Sequence, residues 1–205
     1  MRIISGKYKG RHFDVPRNFK ARPTTDFAKE NLFNILTNII DFEECNTLDL
    51  FSGTGSISLE LLSRGCKSVT SVEMDSLHFA HLKKCLQTLG DDNWRIVRDD
   101  VFRFIRRCSS SYDLIFADPP YALKELKEIP GLVLEGNMLR EDGILVFEHG
   151  KDYALTVETY QVSYQQIYSW VRKYEANGVD GLVDRRGKAK PEDELTEAER
   201  LRQEN

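Results

Sequence analysis

The chain of 205 residues has little cysteine, and its four thiols, Cys45, Cys66, Cys85 and Cys108, stand singly. That scatter excludes a disulfide-stapled scaffold and the paired spacing of zinc or redox motifs, so free thiols in a reducing cytoplasm are expected, with no metal site. Long apolar runs are missing as well. No stretch approaches the ~18 residues of a membrane-spanning helix, and Met1-Arg2-Ile3-Ile4-Ser5-Gly6-Lys7 turns polar too soon for a secretory signal. Strong positive charge is absent overall: the net charge is -4. What the chain does have is 40% hydrophobic and 30% charged residues, enough for one packed domain with a small appendage.

The net charge hides an asymmetry. Residues 1–30 carry eight basic side chains against three acidic ones, on a chain that is acidic elsewhere. A local surplus of this kind suits a polyanionic partner held at one face, and equally suits a solvated segment with no partner.

Hydropathy patterning places strands at 47–51, 68–73, 94–98, 112–117 and 143–147. Helices fall between them at 57–62, 77–89 and about 102–107, and regular βα alternation implies a parallel sheet with helices on both faces. Upstream, Thr25-Asp26 is suited to cap a helix with Phe27, Leu32, Phe33, Ile35, Leu36 and Ile39 on its apolar side. After about residue 150 the strands stop, and a boundary is expected near Lys151–Tyr153, giving domains 1–152 and 153–205.

The first chemical constellation is Asp49-Leu-Phe-Ser-Gly53-Thr-Gly55-Ser56, at the end of the first strand. Its glycines permit a sharp turn and close approach to a ligand. Glu73 ends the next strand, where a carboxylate accepts from ribose hydroxyls. Ser58 stands at the third glycine position of the dinucleotide fingerprint, and no Lys follows Gly55, which excludes a triphosphate loop. Asp49 would repel a pyrophosphate but suits an ammonium group, as in S-adenosylmethionine. Asp99-Asp100 ends the third strand, and an Asp there can accept from an adenine amine beside Val101.

Asp118-Pro119-Pro120-Tyr121 follows the buried strand 112–117. Consecutive prolines remove donors and fix an extended turn, leaving the Asp118 carboxylate and Pro119 carbonyl as acceptors beside an aromatic ring. Two acceptors holding a planar amine draw its lone pair out of conjugation toward a methyl-sulfonium, so catalysis is alignment plus electrostatics. His78 and His81, three apart on a helix, lack a third metal ligand and read as surface or packing residues.

Arg2-Ile-Ile-Ser-Gly-Lys-Tyr-Lys-Gly-Arg11, Arg22-Pro-Thr-Thr-Asp26, Asn31-Leu-Phe-Asn-Ile-Leu36, the Asp49–Gly55 motif and Asp118-Pro-Pro-Tyr121 together resemble the bacterial small-subunit ribosomal RNA guanine-N2 methyltransferase family, from Met1 to about Lys151. The resemblance implies an α/β fold with a Rossmann-like class I methyltransferase sheet. It implies S-adenosyl-L-methionine held by Asp49, Phe51, Ser52, Gly53, Thr54, Gly55, Ser56, Glu73, Asp100 and Val101. It implies a guanine amine site at Asp118, Pro119, Pro120 and Tyr121, with Tyr121 stacking on a splayed base. The basic residues Arg2, Lys7, Lys9, Arg11 and Arg22 would contact ribosomal RNA or the small-subunit particle. A cytoplasmic monomer is expected.

From about Tyr153 the chain departs from that family: it lacks the last strands, and 153–205 resembles the helix-turn-helix of insertion-sequence transposases, with 164–175 as recognition helix. A chimera follows from this, with a helical tail able to contact DNA. The competing functions are a DNA-binding fusion whose methyltransferase half is inactive, and an amino-methyltransferase acting on DNA adenine or a protein amide.

Overall fold

In a computed structural model, the described residues are 1–16, 19, 25–120 and 122–148. The boundary expected near 151–153 and the whole helix-turn-helix resemblance lie outside them.

Five parallel strands form one sheet: β1 (Asn46–Leu50), β2 (Ser68–Val72), β3 (Trp94–Val97), β4 (Tyr112–Ala117) and β5 (Leu139–Phe147). Their order is β3-β2-β1-β4-β5, so the chain reverses direction of travel across the sheet at β1. That reversal opens a crevice at the carboxyl ends of the strands, where α/β proteins bind ligands. Helices α2 (Ser56–Ser63), α3 (Ser76–Leu89) and α4 (Val101–Arg107) follow the first three strands, as the patterning predicts.

Side chains alternate along each strand, and the core divides accordingly. Leu48, Leu50, Ile115 and Ala117 pack with Val101 and Ile105 of α4 and with Ile129 and Val133 of α5 (Ile129–Glu135). Val69, Leu114 and Phe116 face Ile57, Leu61 and Leu82 of α2 and α3, together with Phe33 and Leu36 of α1 (Asp26–Thr37). Thr25 caps α1 as expected, accepting from the Ala28 amide.

The structure adds one helix and corrects two expectations. Helix α5 lies where the patterning placed no element; its Pro130 sits in the first turn, where the missing N–H costs nothing. Phe27 is 75% exposed rather than on the packed side of α1. Strand β5 starts at Leu139, not at Gly143, because Leu139 pairs with Tyr112 and Ile144 with Leu114. The four residues between them bulge opposite Asp113, whose carboxylate takes Arg140 Nη1 at 2.9 Å.

The basic N-terminal segment is packed on the body of the fold. It folds back as an antiparallel turn, with Ile3 N–H donating to the Arg11 carbonyl at 3.0 Å and Phe13 N–H to the Met1 carbonyl at 2.9 Å. This hairpin lies on α2, and every residue of α2 is buried between it and the sheet. The Glu60 carboxylate of α2 accepts from the amides of Ile4 (2.8 Å) and Ser5 (3.1 Å) and from Arg64 Nε (3.0 Å). Gly6 fits only as glycine: its φ is +82°, and a Cβ would lie 1.8 Å from the Ser63 carbonyl oxygen. Lys29, one of the eight basic side chains of residues 1–30, is buried. Its Nζ donates to the Arg2 carbonyl at 2.6 Å and to Ser56 Oγ at 3.2 Å, joining α1, the hairpin and the first turn of α2.

Candidate functional site

Register fixes the site. Leu50 pairs with Val72 on one side and with Ala117 on the other. The next residue of each strand tip therefore lies in one row: Glu73, Phe51 and Asp118. Strand spacing of ~4.8 Å puts the Glu73 and Asp118 backbones roughly 10 Å apart across the mouth.

Above β1 the chain turns tightly. Phe51 (φ 62°), Gly53 (φ 52°) and Gly55 (φ 79°) are all in the left-handed region. For Phe51 that conformation is strained, and its packing on the α4/α5 side of the core holds it. Gly55 has no alternative: a Cβ there would be 2.5 Å from Leu82 Cδ2. Ser52 Oγ donates to the Asp49 carbonyl at 2.8 Å and the Gly55 amide donates to the Ser52 carbonyl at 2.7 Å, so the turn is self-braced.

Glu73 holds this turn from the neighbouring strand. Its Oε2 accepts the Gly53 amide at 2.8 Å and its Oε1 the Asp75 amide at 2.7 Å. Each carboxylate oxygen keeps a second lone pair for a ribose hydroxyl. His78 Nδ1 lies 3.7 Å from Glu73 Oε2. The His78 ring meets Phe19 at a centroid distance of 4.3 Å, and His81 meets the same ring edge-on at 5.2 Å. His81 is buried and hydrogen-bonds the Thr54 carbonyl; burial lowers its pKa, which that bond partly offsets. The histidine pair thus packs beside the turn, the packing alternative of the two that the sequence leaves open.

Asp49 is 2% exposed and lies beneath the turn, on the α2 side of the sheet. The Ser58 hydroxyl donates to its Oδ2. Burial pushes Asp49 up to about 7; the Ser58 hydroxyl and amide pull it down, and the charges of Asp118 and Glu73 raise it again. Asp118 is raised to about 6, first by burial and then by Glu148, whose amide donates to the Ala117 carbonyl at 2.9 Å. Three carboxylates thus converge on one crevice, a field that repels pyrophosphate and favours a cation.

Linkage gives a testable sign. Asp49 and Asp118 both rise from 3.8, so between there and about 7 the folded chain binds more protons than the unfolded one. Stability of the ligand-free protein then falls as pH rises through that window, with lowered His81 opposing near its upper end. Melting temperature is expected to be higher at pH 5 than at pH 7.5; an equal or reversed order would contradict the carboxylate placement.

The remaining sequence-derived residues fall as follows. Asp100 caps α4, accepting the Arg103 amide at 3.0 Å, and Val101 is buried beneath it. Asp99 accepts the Asp100 amide at 2.9 Å. Pro119 is buried and Pro120 exposed; the Pro120 carbonyl accepts from Leu123 N–H at 2.9 Å. Tyr121 and Arg22 lie outside the described residues. Arg2, Lys7, Lys9 and Arg11 are all exposed. Arg2 pairs with Asp26 at 3.1 Å and Lys7 with Asp91 at 3.0 Å, while Arg11 lies over the Tyr8 ring at 5.0 Å. These pairs mute the positive surplus that a residue count suggests.

Sequence reasoning missed Ser58, Ser71 and Trp94, which line the floor below the turn. Ser58 reads only as an absent glycine. The usable signal is Trp94 on a strand, since a buried indole N–H needs an acceptor.

Among known proteins, a family profile described as conserved hypothetical protein 95 matches residues 1–169, past the boundary expected from sequence. The ribosomal RNA small subunit methyltransferase D of Escherichia coli K12 is 35% identical over 148 residues, covering 72% of this chain and 74% of that protein. The protein of the same name from Haemophilus influenzae is 35% identical over 159 residues, covering 76% and 81%. The solved structure of a hypothetical protein from Thermus thermophilus superposes with a TM-score of 0.69 at 29% identity, covering 77% of this chain and 90% of that one. With its strand order, glycine turn and convergent carboxylates, the chain belongs to the conserved hypothetical protein 95 family, alongside these small-subunit ribosomal RNA methyltransferase D proteins.

Proposed function

We propose that the chain transfers a methyl group from S-adenosyl-L-methionine to the exocyclic N2 amine of a guanine in small-subunit ribosomal RNA. The observation that carries this reading is the row of Glu73, the glycine turn and Asp118 over buried Asp49, which fits a ligand with a ribose at one end and positive charge at the other. The names of the relatives support ribosomal RNA as substrate. The guanine amine is supported by the resemblance of the Asp118-Pro-Pro-Tyr121 motif.

Bound S-adenosylmethionine would supply an electrophilic methyl on a positively charged sulfur. Glu73 would hold the ribose through its second lone pairs. Asp118 would accept an amine N–H, holding the nitrogen lone pair toward the methyl carbon, and would take up the proton released as the N–C bond forms and the sulfur–methyl bond breaks, the sulfur leaving as the neutral thioether of S-adenosylhomocysteine. Ionised Asp118 is required, so activity falls below about pH 6. The exposed Lys9 and Arg11 stand as phosphate contacts, which position an RNA without reading its sequence.

Calorimetric titration of the full chain with S-adenosylmethionine tests the cofactor, and Glu73→Ala is expected to abolish the heat. Tritium transfer into ribosomal RNA, DNA and protein tests the substrate. Label in DNA or protein alone would overturn the RNA assignment.

A further inference from the structure

The crevice has a polar floor that the reaction above does not use. Trp94, on β3, is separated from β1 by β2, yet it connects to Asp49 through two serines. Its Nε1 donates to Ser71 Oγ at 2.7 Å; Ser71 Oγ and Ser58 Oγ are 2.6 Å apart; and the Ser58 hydroxyl donates to Asp49 Oδ2. All four residues are buried.

The chemistry of the two ends sets the direction. An indole N–H can only donate, and an ionised carboxylate can only accept. Ser71, receiving the indole hydrogen, turns its own hydroxyl hydrogen toward Ser58, and Ser58 turns its own toward Asp49. Each bond polarises the next, so the last donor is stronger than an isolated serine. Trp94 touches the same structure a second way: two of its ring carbons lie 3.8 Å from where a Gly55 Cβ would be.

We propose that Trp94, Ser71 and Ser58 are positioning residues for the cofactor, a one-way buried hydrogen-bond chain that keeps the Asp49 carboxylate ionised and aimed at the floor of the glycine turn. The ligand rests on the S-adenosylmethionine reading; the chain itself does not. Without it, a carboxylate this buried and facing Glu73 at the tip of β2 and Asp118 at the tip of β4 would hold its proton to higher pH still than about 7 and lose its attraction for a cation near neutrality. The other polar groups around the turn are neutral His81 on α3 and the Lys29 ammonium at Ser56 on α1.

The test is the pH dependence of S-adenosylmethionine affinity between pH 5.5 and 9 in the full chain. Ser58→Ala is expected to move the acidic limb upward by about one unit, weakening binding about fivefold at pH 7 and hardly at all at pH 9. Trp94→Phe, which keeps a ring under Gly55 but removes the N–H, and Ser71→Ala shift it in the same direction by less. If Ser58→Ala disturbs α2, Ser71→Ala on the strand still decides the matter. A pH-independent loss of affinity, or an unmoved limb in all three variants, would overturn the proposal and leave only packing.

A second readout needs no cofactor. The chain has two tryptophans, Trp94 and Trp170, so in a Trp170→Phe background the emission of Trp94 follows the titration of Asp49. A midpoint raised by Ser58→Ala supports the chain even where S-adenosylmethionine fails to bind, an outcome that would sink the cofactor reading alone. A midpoint unchanged by Ser58→Ala overturns the chain whether or not cofactor binds.

Discussion

Asp118→Asn is expected to slow methyl transfer on the order of 10²–10³-fold, the usual loss when one preorganised polar partner of a developing charge is removed. The amide keeps the size and one acceptor oxygen but carries no charge to meet the positive nitrogen as its proton leaves. The loss should fall on kcat far more than on cofactor affinity, because in the proposed reading Glu73, which holds the glycine turn through the Gly53 amide, would bind the ribose end independently. The pH profile should change as well. The wild-type rate falls on the acid side of about 6, where burial and Glu148 place the Asp118 carboxyl, and the Asn variant should lose that limb. Wild-type turnover in Asp118→Asn would move the amine site away from this strand tip.

The second large effect is on stability. Glu60→Ala is expected to cost about 3–5 kcal/mol, because it strips a fully buried anion from a cluster built around it. The amides of Ile4 and Ser5 lose their acceptor, Arg64 loses its carboxylate partner though it keeps Thr37, and buried Lys29, with Nζ 3.9 Å from the carboxylate, loses its nearest counter-charge. Domains of this size are stable by about 5–15 kcal/mol, so the urea midpoint should fall steeply. Glu60→Gln, which keeps one acceptor oxygen, should lose less. Hydrogen exchange at the Ile4 and Ser5 amides gives a local check. A midpoint within error of wild type in Glu60→Ala would mean that the hairpin is held by its apolar contacts, Ile3 and Phe13, alone.

The parallel sheet is legible because β4 is a short, mostly apolar run, as a strand buried on both faces should be, and β2 alternates along its length between turn residues. Asp49, Gly53, Gly55, Glu73 and Asp118 are legible for a related reason: each sits at or just past a strand end, so sequence spacing alone brings them to one edge. Glu60 is not. It stands mid-helix, where a charged residue ordinarily faces water, and the groups that bury it lie 55 and 56 residues upstream. Lys29 misleads for the same reason, since a charge count cannot see that an ammonium is enclosed. Ser58 carries a true signal that sequence yields only in half. The absent glycine is plain, but the hydroxyl in its place acts across the layer on Asp49, a contact that periodicity does not encode. Phe27 shows the converse: helical spacing puts it on the packed side, yet the face α1 buries is that of Lys29, Phe33 and Leu36, and Phe27 is exposed.

The hairpin roof over α2 bears on the order in which the chain acquires structure. Synthesis delivers Met1–Phe13 before their partners: the carboxylate that receives the amides is made only when residue 60 is, and the Asp91 that grips Lys7 later still. Until then the hairpin segment has nothing on α2 to dock on, while strand β1 has neither of its two neighbours. Acquisition of structure at the ribosome is therefore expected to be late and concerted, with the beginning of the chain closing over the helix that its middle supplies.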